Sequence, residues 1–452
     1  SPGARMIRRS PFASLFSLLL LVSLGITTDA QTLWRNGRAL PKDVFCEAHL
    51  LPAEKGMCSV LVLARTYPNL LSFTREATDG PYRATYALTI ECLDSSGVIR
   101  CSHTKADSAV VPTFALTRSD KPGIVSGAVC PVPPSAYKIR VILEQHGITL
   151  HRWTSAELRL TTSTRRSVLT PPILCTASGP SGIVPSVTAG TIIFSDRPVM
   201  LTSLVSGVAD DEVWTWSCTR IGQADPMTVS DVSSLSGRCS LRVENSVDVS
   251  RITRIADSLQ VGVGPDASHL AVASIRAEIP VVMFTPGRYR YVLRCESTGD
   301  SLVTEIPCIW PSKPQSLRSE SQMLWIMRYL VTDDDFAKMS EGSESENWKN
   351  VFAWWKRHDP RPETPFNQAL NACFLRADEA AVTYQSAIEP NGIKTERGRV
   401  YILYGPPDTI RSQRASADGQ RETWIYTSRL QRTVVFDIDD RGVYRIRSVE
   451  PR

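Results

Sequence analysis

The chain has 452 residues, a formal net charge of +5 and an ordinary globular composition, with 42% hydrophobic and 21% charged residues. At roughly 150 residues per domain, this length is too great for one core and predicts about three domains. The lysines and arginines are scattered among 46 acidic residues and form no basic stripe. This distribution excludes nucleic acid as an expected partner.

The first thirty residues have the layout of a secretory signal peptide. Arg8 and Arg9 precede an uncharged run over 11–28, and Thr28-Asp29-Ala30 supplies the small residues that signal peptidase needs. The apolar part of this run is too short to cross a bilayer as a helix. We therefore predict that residues 1–30 are removed and that the mature chain has no transmembrane segment. It is expected to be periplasmic, associated with the outer membrane, or extracellular.

Two regions alternate between apolar and polar residues and contain frequent turns, which is typical of antiparallel β-sandwiches. The first region lies within residues 31–165 and contains YRATYALTIEC, and the second lies within 166–312 and contains GRYRYVLRC. Residues 163–190 are rich in Ser, Thr, Pro and Gly, which predicts a linker or a long crossing loop. The pattern predicts two immunoglobulin-like sandwiches in tandem.

Eleven cysteines suit an oxidising compartment, and no pair of them has the C-x-x-C spacing of a zinc or redox site. In TIECLDSSGVIRC, a two-residue turn at Ser96-Gly97 places Cys92 opposite Cys101 on antiparallel strands. Opposed residues lie within the Cα separation that a disulfide accepts. The pair is predicted to be either a disulfide or two packed thiols.

The pattern changes after Trp310-Pro311. Apolar residues then recur at three-four spacing in three segments, within 323–330, 348–355 and 370–384, which predicts amphipathic helices. The tail alternates instead, and its predicted strands contain Val400, Ile402 and Tyr404; Trp424 and Tyr426; Val434, Phe436 and Ile438; and residues 443–446. Residues 313–452 are therefore predicted to be an α+β domain, with helices packed on a small antiparallel meander. The fold class of the whole chain is mainly β with this α+β domain at its C-terminal end.

Two segments of this last domain resemble the GWxTD domain family of exported bacterial proteins. They are WWKRHDPRPETPFN, from Trp354 to Asn367, and GIKTERGRVYILYGPPD, from Gly392 to Asp408. The motif positions are Trp355, Asp359, Pro360, Pro362, Thr364, Asn367, Arg376, Gly392, Thr395, Glu396, Arg397, Gly398, Tyr404, Gly405, Pro407 and Asp408. The chain departs from the family's pattern at Ile393, where the family has Trp, and at Glu396, where it has Asp.

The resemblance implies an exported, often cell-envelope protein with sandwich-like regions before the signature domain. It implies no established enzyme activity. If the family's Trp fills space between helix and meander, Ile393 can do the same with a smaller volume. If that Trp were a stacking surface for a ligand, Ile393 could not replace it. We interpret the motif residues as structural and assign none of them to catalysis.

The function predicted from these features is that of a non-enzymatic binding or assembly protein, with an envelope protein or a polysaccharide as its partner. The alternative is a glycosidase-like hydrolase that uses the carboxylates near Asp359 and Glu396, since paired acids perform glycoside hydrolysis. The prolines at 406 and 407 remove N–H donors that a phosphate-binding loop needs. The six histidines show no metal-binding spacing, and no nucleotide motif occurs. We therefore expect neither a metal nor a cofactor.

Overall fold

The computed structural model describes residues 44–451 apart from several short segments. These segments are 53–57, 76, 120–122, 134, 160, 163–167, 180–181, 207–211, 223–231, 241–245, 248–251, 256–257, 263–271, 387, 415–419 and 428–430. The predicted signal peptide, residues 1–30, lies outside the described residues. The fold is mainly β, with several sheets followed by a C-terminal α+β region, as the sequence predicts.

The first part of the described chain is made almost entirely of strands. In chain order it contains β1 (Val44–Pro52), β2 (Cys58–Thr66), β3 (Thr74–Arg75), β4 (Tyr82–Leu93), β5 (Ile99–Val111), α1 (Phe114–Thr117), β6 (Ile124–Val132), β7 (Tyr137–Gln145) and β8 (Ile148–Leu158). One sheet has the order β3-β4-β7-β8, with β5 also paired to β4, and a separate sheet has the order β1-β2-β6.

Residues 66–123 and 136–158 form a compact unit around the sheet that contains β4. β4 alternates as predicted, and one face of it is buried, with side chains of Tyr86, Leu88, Ile90 and Cys92. Gln145 in β7 is also buried, and its side chain accepts from Ser72 N (2.7 Å) and donates to Thr85 O (3.1 Å). These bonds attach the segment before β3 to the middle of the sheet.

Cys92 and Cys101 are directly opposed in the β4–β5 ladder, at the predicted register. The disulfide considered for this pair does not form, because Cys101 is disulfide-bonded while Cys92 is a free thiol. Burial raises the pKa of the Cys92 thiol to about 11, so it stays protonated at neutral pH. Strand register brought the two sulfurs to opposed positions, but it could not specify which cysteine Cys101 bonds.

The middle of the chain contains fourteen strands among its described residues. They are β9 (Thr161–Thr162), β10 (Val168–Leu169), β11 (Ile173–Gly179), β12 (Gly182–Pro185), β13 (Ile192–Ile193), β14 (Val199–Ser206), β15 (Val213–Ile221), β16 (Ser234–Ser240), β17 (Ser246–Val247), β18 (Ile252–Ile255), β19 (Ser258–Gly262), β20 (Val272–Ile279), β21 (Gly287–Cys295) and β22 (Ser301–Ile309). A nine-stranded sheet has the main order β17-β20-β14-β11-β12-β19-β18, and a five-stranded sheet has the order β13-β22-β21-β15-β16.

The prediction of a linker over 163–190 was wrong, because this segment contains β11 and β12 inside the nine-stranded sheet. Ile173 and Cys175 belong to the apolar cluster on one face of the sheet, and Leu174 belongs to the cluster on the other face. A strand buried on both faces shows no alternation between apolar and polar residues. The segment therefore lacked the signal by which the other strands were predicted.

The nine-stranded sheet has an apolar core on each side. On one side, β2 and β6 contribute Leu61, Leu63 and Val125 to a cluster with Ile173 and Val261. On the other side, residues of the five-stranded sheet pack against it, among them the fully buried Trp214, Tyr289, Tyr291 and Leu293. The second of these arrangements is the β-sandwich that the sequence predicts for the middle of the chain.

Tyr289 fixes the entry to β21. Its hydroxyl accepts a hydrogen bond from Thr285 N (2.8 Å) and lies within donating distance of the carbonyls of Thr285 (2.9 Å) and Met283 (3.1 Å). A tyrosine near the start of a strand that binds backbone a few residues upstream is the tyrosine corner of immunoglobulin-like sandwiches.

A buried carboxylate holds a turn between the first strands and the sandwich. Glu47 in β1 accepts from Thr188 N (2.6 Å) and Gly190 N (3.1 Å), and Val187 and Ala189 in the same turn have positive φ. Burial alone would raise the pKa of Glu47, but hydrogen bonds from His49 and the two amides outweigh burial and lower it. Non-glycine residues in this region cost free energy, so the carboxylate stabilises a turn that the backbone disfavours.

The C-terminal region contains five helices and a four-stranded antiparallel meander among its described residues. They are α2 (Glu320–Met327), α3 (Asp333–Ser340), α4 (Glu344–Arg357), α5 (Gln368–Thr383), α6 (Glu396–Tyr404), β23 (Thr409–Arg414), β24 (Gln420–Tyr426), β25 (Arg432–Ile438) and β26 (Tyr444–Pro451). Trp424, Val434 and Phe436 of the meander share a core with Phe374 and Ile402 of the helices. In the described part of the chain, no helix is both long and apolar enough to span a membrane.

The strand predicted to contain Val400, Ile402 and Tyr404 is wrong, because these residues belong to helix α6. Val400, Tyr401 and Ile402 are all buried, and a short apolar run of this kind fits a buried helix as well as a strand. The first strand of the meander is β23 instead. Gly405 ends helix α6.

We expect Tyr289→Phe to destabilise the sandwich by about 1–3 kcal/mol, because it leaves the buried Thr285 N–H without its acceptor. Urea unfolding followed by tryptophan fluorescence measures the change. Tyr291→Phe in the same strand is the matched control, since Tyr291 is equally buried and its hydroxyl makes none of these backbone bonds. Equal losses in the two variants would show that the corner contributes nothing.

Glu47 predicts an acid-dependent loss of stability. Its folded-state pKa is lowered, so its contribution is complete above the unfolded pKa of about 4.3 and is lost as the pH falls through the folded pKa. The thiols of Cys46 and Cys175, which also interact with Glu47, stay neutral here because burial raises the pKa of each to about 12. We expect Glu47→Gln to lower stability at pH 7 and to reduce its further loss between pH 5 and pH 3. Parallel pH profiles of unfolding for the variant and the wild type would contradict this role.

Candidate functional site

Two motif glycines allow the second motif segment to approach helix α5. Gly392 lies in a short 3-10 turn, Gly392–Lys394, where a Cβ atom would collide with the carbonyl oxygen of Ala380 in α5. Gly398 lies in the first turn of α6, where a Cβ atom would collide with the carbonyl oxygen of Gly392. Both glycines are therefore required by close packing of backbone on backbone.

Thr395 and Glu396 connect this turn to α6 and to the meander. Thr395 is the N-cap of α6, since its hydroxyl oxygen accepts from Gly398 N (3.1 Å) while the hydroxyl donates to Gly392 O (2.8 Å). Glu396 accepts a hydrogen bond from Ile446 N in β26, and its other carboxylate oxygen lies 3.7 Å from the Arg445 guanidinium. Glu396 therefore attaches the start of the helix to the last strand.

Two motif arginines lie against the aromatic core. The guanidinium of Arg397 is 3.4 Å from the ring centre of Tyr444 and 5.3 Å from that of Tyr384, and it pairs with Glu422 at 3.7 Å. Arg376 in α5 lies beside Gly405, and its Nε is buried with no hydrogen-bond partner in the described part of the chain. The side chain of Arg397 is only 17% exposed, and the Nε of Arg376 is buried, so both arginines belong to the interior of the domain.

The Gly-Pro-Pro-Asp segment is a corner between α6 and β23. Gly405 has φ +79°, a backbone region that favours glycine, and its carbonyl accepts from the Tyr426 hydroxyl at 3.0 Å. Asp408 accepts from Thr427 N and from the Thr427 hydroxyl (2.7 Å). Tyr404 packs edge-on against Tyr426, and Pro407 is half-buried within the corner.

The first motif segment connects α4 to α5. Asn367 is the N-cap of α5, accepting from Leu370 N at 2.8 Å, and its side-chain amide donates to Trp355 O at 2.8 Å. Trp355 is buried at the end of α4 and packs edge-on against Phe374. The hydroxyl of Thr364 donates within its own loop, to the carbonyl of Arg361 (3.2 Å) or of Phe366 (3.2 Å).

The same loop is attached to the preceding sandwich. Phe366 makes edge contacts with Phe194 and Trp310, at centroid distances of 5.2 and 5.9 Å. Asp196 accepts from Arg361 (3.0 Å) and from the Gln368 side chain. Asp359 binds its own loop, accepting from Arg361 N at 2.9 Å, while Pro360 and Pro362 are exposed. These contacts define a joint between the sandwich and the C-terminal domain.

Two of the three motif carboxylates, Glu396 and Asp408, lie too far apart to act as a glycosidase pair. Asp359 lies in the α4–α5 loop, whereas Glu396 and Asp408 flank opposite ends of α6. A helix of nine residues is about 13 Å long, which exceeds the separation of roughly 5–9.5 Å between the two acids of a glycosidase. Each of these carboxylates also accepts a backbone N–H. The geometry is that of structural hydrogen bonding.

Two contacts were not foreseen from the sequence. The Tyr329 hydroxyl donates to Ile393 O (2.9 Å), and Asp378 in α5 accepts from Gln315 N (2.6 Å) and Ser316 N (2.8 Å). Both partners are backbone atoms in other segments, so no local sequence signal could reveal them. Ile393 itself is 2% exposed within the core, which is the position of a plug and not of a ligand-stacking surface.

These observations define a class of protein: a chain of β-sandwich layers that ends in a helix-covered meander cross-linked by its own motif residues. Residues 291–442 match the family model of the GWxTD domain, so this part of the chain contains a GWxTD domain. A comparison with curated proteins found no match. Among solved structures, the chain is similar to "Escherichia coli alpha-2-macroglobulin activated by porcine elastase", with 10% identity, a TM-score of 0.17, and coverage of 60% of this chain and 24% of that chain.

We expect Gly398→Ala to destabilise the C-terminal domain by about 3 kcal/mol, because the added methyl group overlaps a backbone carbonyl that cannot move away. An exposed helical position would respond in the opposite direction, since Ala favours helix by about 1 kcal/mol over Gly. Gly80→Ala is the control, because its Cβ would have only ordinary contacts of 3.5 Å or more. Thermal unfolding that is unchanged in Gly398→Ala would contradict the close approach.

Proposed function

We propose that this chain is an exported, non-enzymatic binding and assembly component of the bacterial cell envelope or of the secreted fraction. The observation that carries the proposal is that the motif carboxylates are already bonded within the domain. Asp359, Glu396 and Asp408 each accept a backbone N–H, and Glu396 also lies beside Arg445. Acids held in this way are equipped to join segments, whereas a hydrolase needs one acid free to give a proton and another free to act as nucleophile or base.

The joint between sandwich and C-terminal domain supports an assembly role. Phe194, Trp310 and Phe366 form an aromatic cluster there, and Asp196 binds two side chains of the motif loop. Aromatic pairs of this geometry contribute about 0.5–1.5 kcal/mol each beyond the area they bury. A domain fixed to a sandwich in this way can hold the exposed sheet faces of the sandwich in a constant orientation toward a partner.

The expectation of export rests on sequence. Arg8 and Arg9, the uncharged run and Thr28-Asp29-Ala30 have the order of a secretory signal, and disulfide-bonded Cys101 suits an oxidising compartment. Expression of the full chain in a bacterial host, followed by fractionation and N-terminal sequencing, tests this part of the proposal. Cleavage after residue 30 and recovery outside the cytoplasm are expected, and an uncleaved cytoplasmic protein would contradict export.

Substitutions of Glu396 separate a structural role from a catalytic one. We expect Glu396→Ala to lower the melting temperature by several degrees, because Ile446 N loses its acceptor. Glu396→Gln should lose less, since its amide oxygen still accepts that bond. Asp440→Ala is the control, because Asp440 is an exposed acid in the same domain.

The hydrolase alternative predicts the reverse pattern. A catalytic Glu396 would lose at least 100-fold of any measured polysaccharide hydrolysis in Glu396→Gln, while the melting temperature stays unchanged. Assays of reducing ends released from envelope polysaccharides, run beside the melting curves on the same variants, distinguish the two patterns.

A further inference from the structure

The outer face of the five-stranded sheet is rich in arginine and hydroxyl groups. Strand β21 turns Tyr289, Tyr291 and Leu293 into the core, so the alternation directs Arg290 and Arg294 outward. Thr215 and Ser217 of β15 and Ser236 and Arg238 of β16 occupy outward positions beside them. We call these six residues, Thr215, Ser217, Ser236, Arg238, Arg290 and Arg294, the arginine–hydroxyl face.

This face is concave. A surface cavity of about 530 Å³ is lined by residues that include Thr215, Ser217, Ser236, Arg238 and Arg294. β15 and β21 are inner strands of the sheet, so their backbone N–H and C=O groups are already paired on both sides. A ligand on this face therefore meets side chains and not free backbone.

The arginines of this sheet outnumber the acids beside them: Glu305 opposes Arg290 in the β21–β22 ladder and pairs with Arg288 at 3.4 Å. Arg238 pairs with Glu296, and both side chains of that pair are exposed. Within the described residues, no carboxylate lies within 4 Å of the guanidinium of Arg290 or Arg294, although both arginines are exposed. Guanidinium groups bind carboxylates in a planar, two-bond geometry, so free arginines on a concave face attract acidic ligands.

We propose that the arginine–hydroxyl face binds an acidic polysaccharide whose sugar residues carry carboxylate groups, an inference that rests on the proposed binding function and names its ligand class. Arg290 and Arg294 bind the carboxylates. Adjacent outward residues on one strand are about 7 Å apart, so these two arginines lie about twice that distance apart and reach two separate carboxylates of one polysaccharide chain. The hydroxyls of Thr215, Ser217 and Ser236 exchange hydrogen bonds with sugar hydroxyls, since each group can both donate and accept.

Two other classes of polymer fit the face less well. Single-stranded nucleic acid binds through bases stacked on aromatic rings. The outward positions of the described strands β15, β16, β21 and β22 carry no aromatic residue, and Trp216, the one ring that lines the cavity, packs against the core of the sandwich. An acidic peptide that binds by adding a strand would pair with the edge strand β16, away from Arg290 and Arg294 on the inner strand β21.

Affinity electrophoresis and titration calorimetry with polygalacturonate test the proposal on the purified full chain. We expect polygalacturonate to bind, neutral dextran not to bind, and binding to weaken as salt is raised from 50 to 200 mM. Arg290→Ala/Arg294→Ala should raise Kd at least tenfold with an unchanged circular dichroism spectrum. Arg411→Ala/Arg432→Ala is the control, because it removes the same charge from exposed positions in the meander.

Several results would overturn the proposal. Failure of the wild type to bind polygalacturonate, or an equal loss in both double variants, would remove the face as a specific site. Tighter binding of poly(dT) or of polyglutamate than of polygalacturonate would reassign it to nucleic acid or acidic peptide. Shortening of the polygalacturonate chain during incubation would instead contradict the non-enzymatic function. The arginine variants would still show whether the polymer binds at this face.

Discussion

The C-terminal domain depends on the close approach of three backbone segments, α5, the 3-10 turn after it, and α6. Hydrogen in place of a side chain at Gly392 and Gly398 permits that approach, and the other motif contacts follow from it. Thr395 can cap α6 only because Gly392 O and Gly398 N lie beside its hydroxyl. With the helix start fixed there, the Glu396 side chain reaches the backbone of β26. The motif is therefore a set of bonds between segments that depend on one another.

The nine-stranded sheet constrains the rest of the chain, because it lies between two apolar cores. A sheet with apolar cores on both sides cannot expose either face along its central strands, so the exposed sheet faces belong to the outer layers. The outer face of the five-stranded sheet is one such layer. Its free charge at Arg290 and Arg294 contrasts with Arg397, whose guanidinium lies between Tyr384 and Tyr444 and pairs with Glu422. The same residue type thus serves the interior of one domain and the surface of another.

Polar groups in this protein act mainly as joints. Glu47 holds a left-handed turn, Asp196 binds the motif loop, and Asp378 receives two amides from the segment after the sandwich. Each lies where two segments distant in sequence meet, and the loss of Glu47 or Asp378 would leave the buried N–H of Thr188 or of Ser316 without its acceptor.

Periodicity alone determined the mainly β class, the helices at 323–330, 348–355 and 370–384, and the later strands of the meander, because an amphipathic element repeats its apolar residues at its own structural period. It failed where both sides of an element are buried: β11 lies in a segment predicted to be a linker and α6 in one predicted to be a strand, because an element buried on both sides shows no apolar–polar period. Tertiary structure decided the rest. The free thiol at Cys92, the bond from Glu396 to Ile446 N and the placement of Arg294 beside Thr215 depend on contacts between segments distant in sequence, which local sequence does not encode.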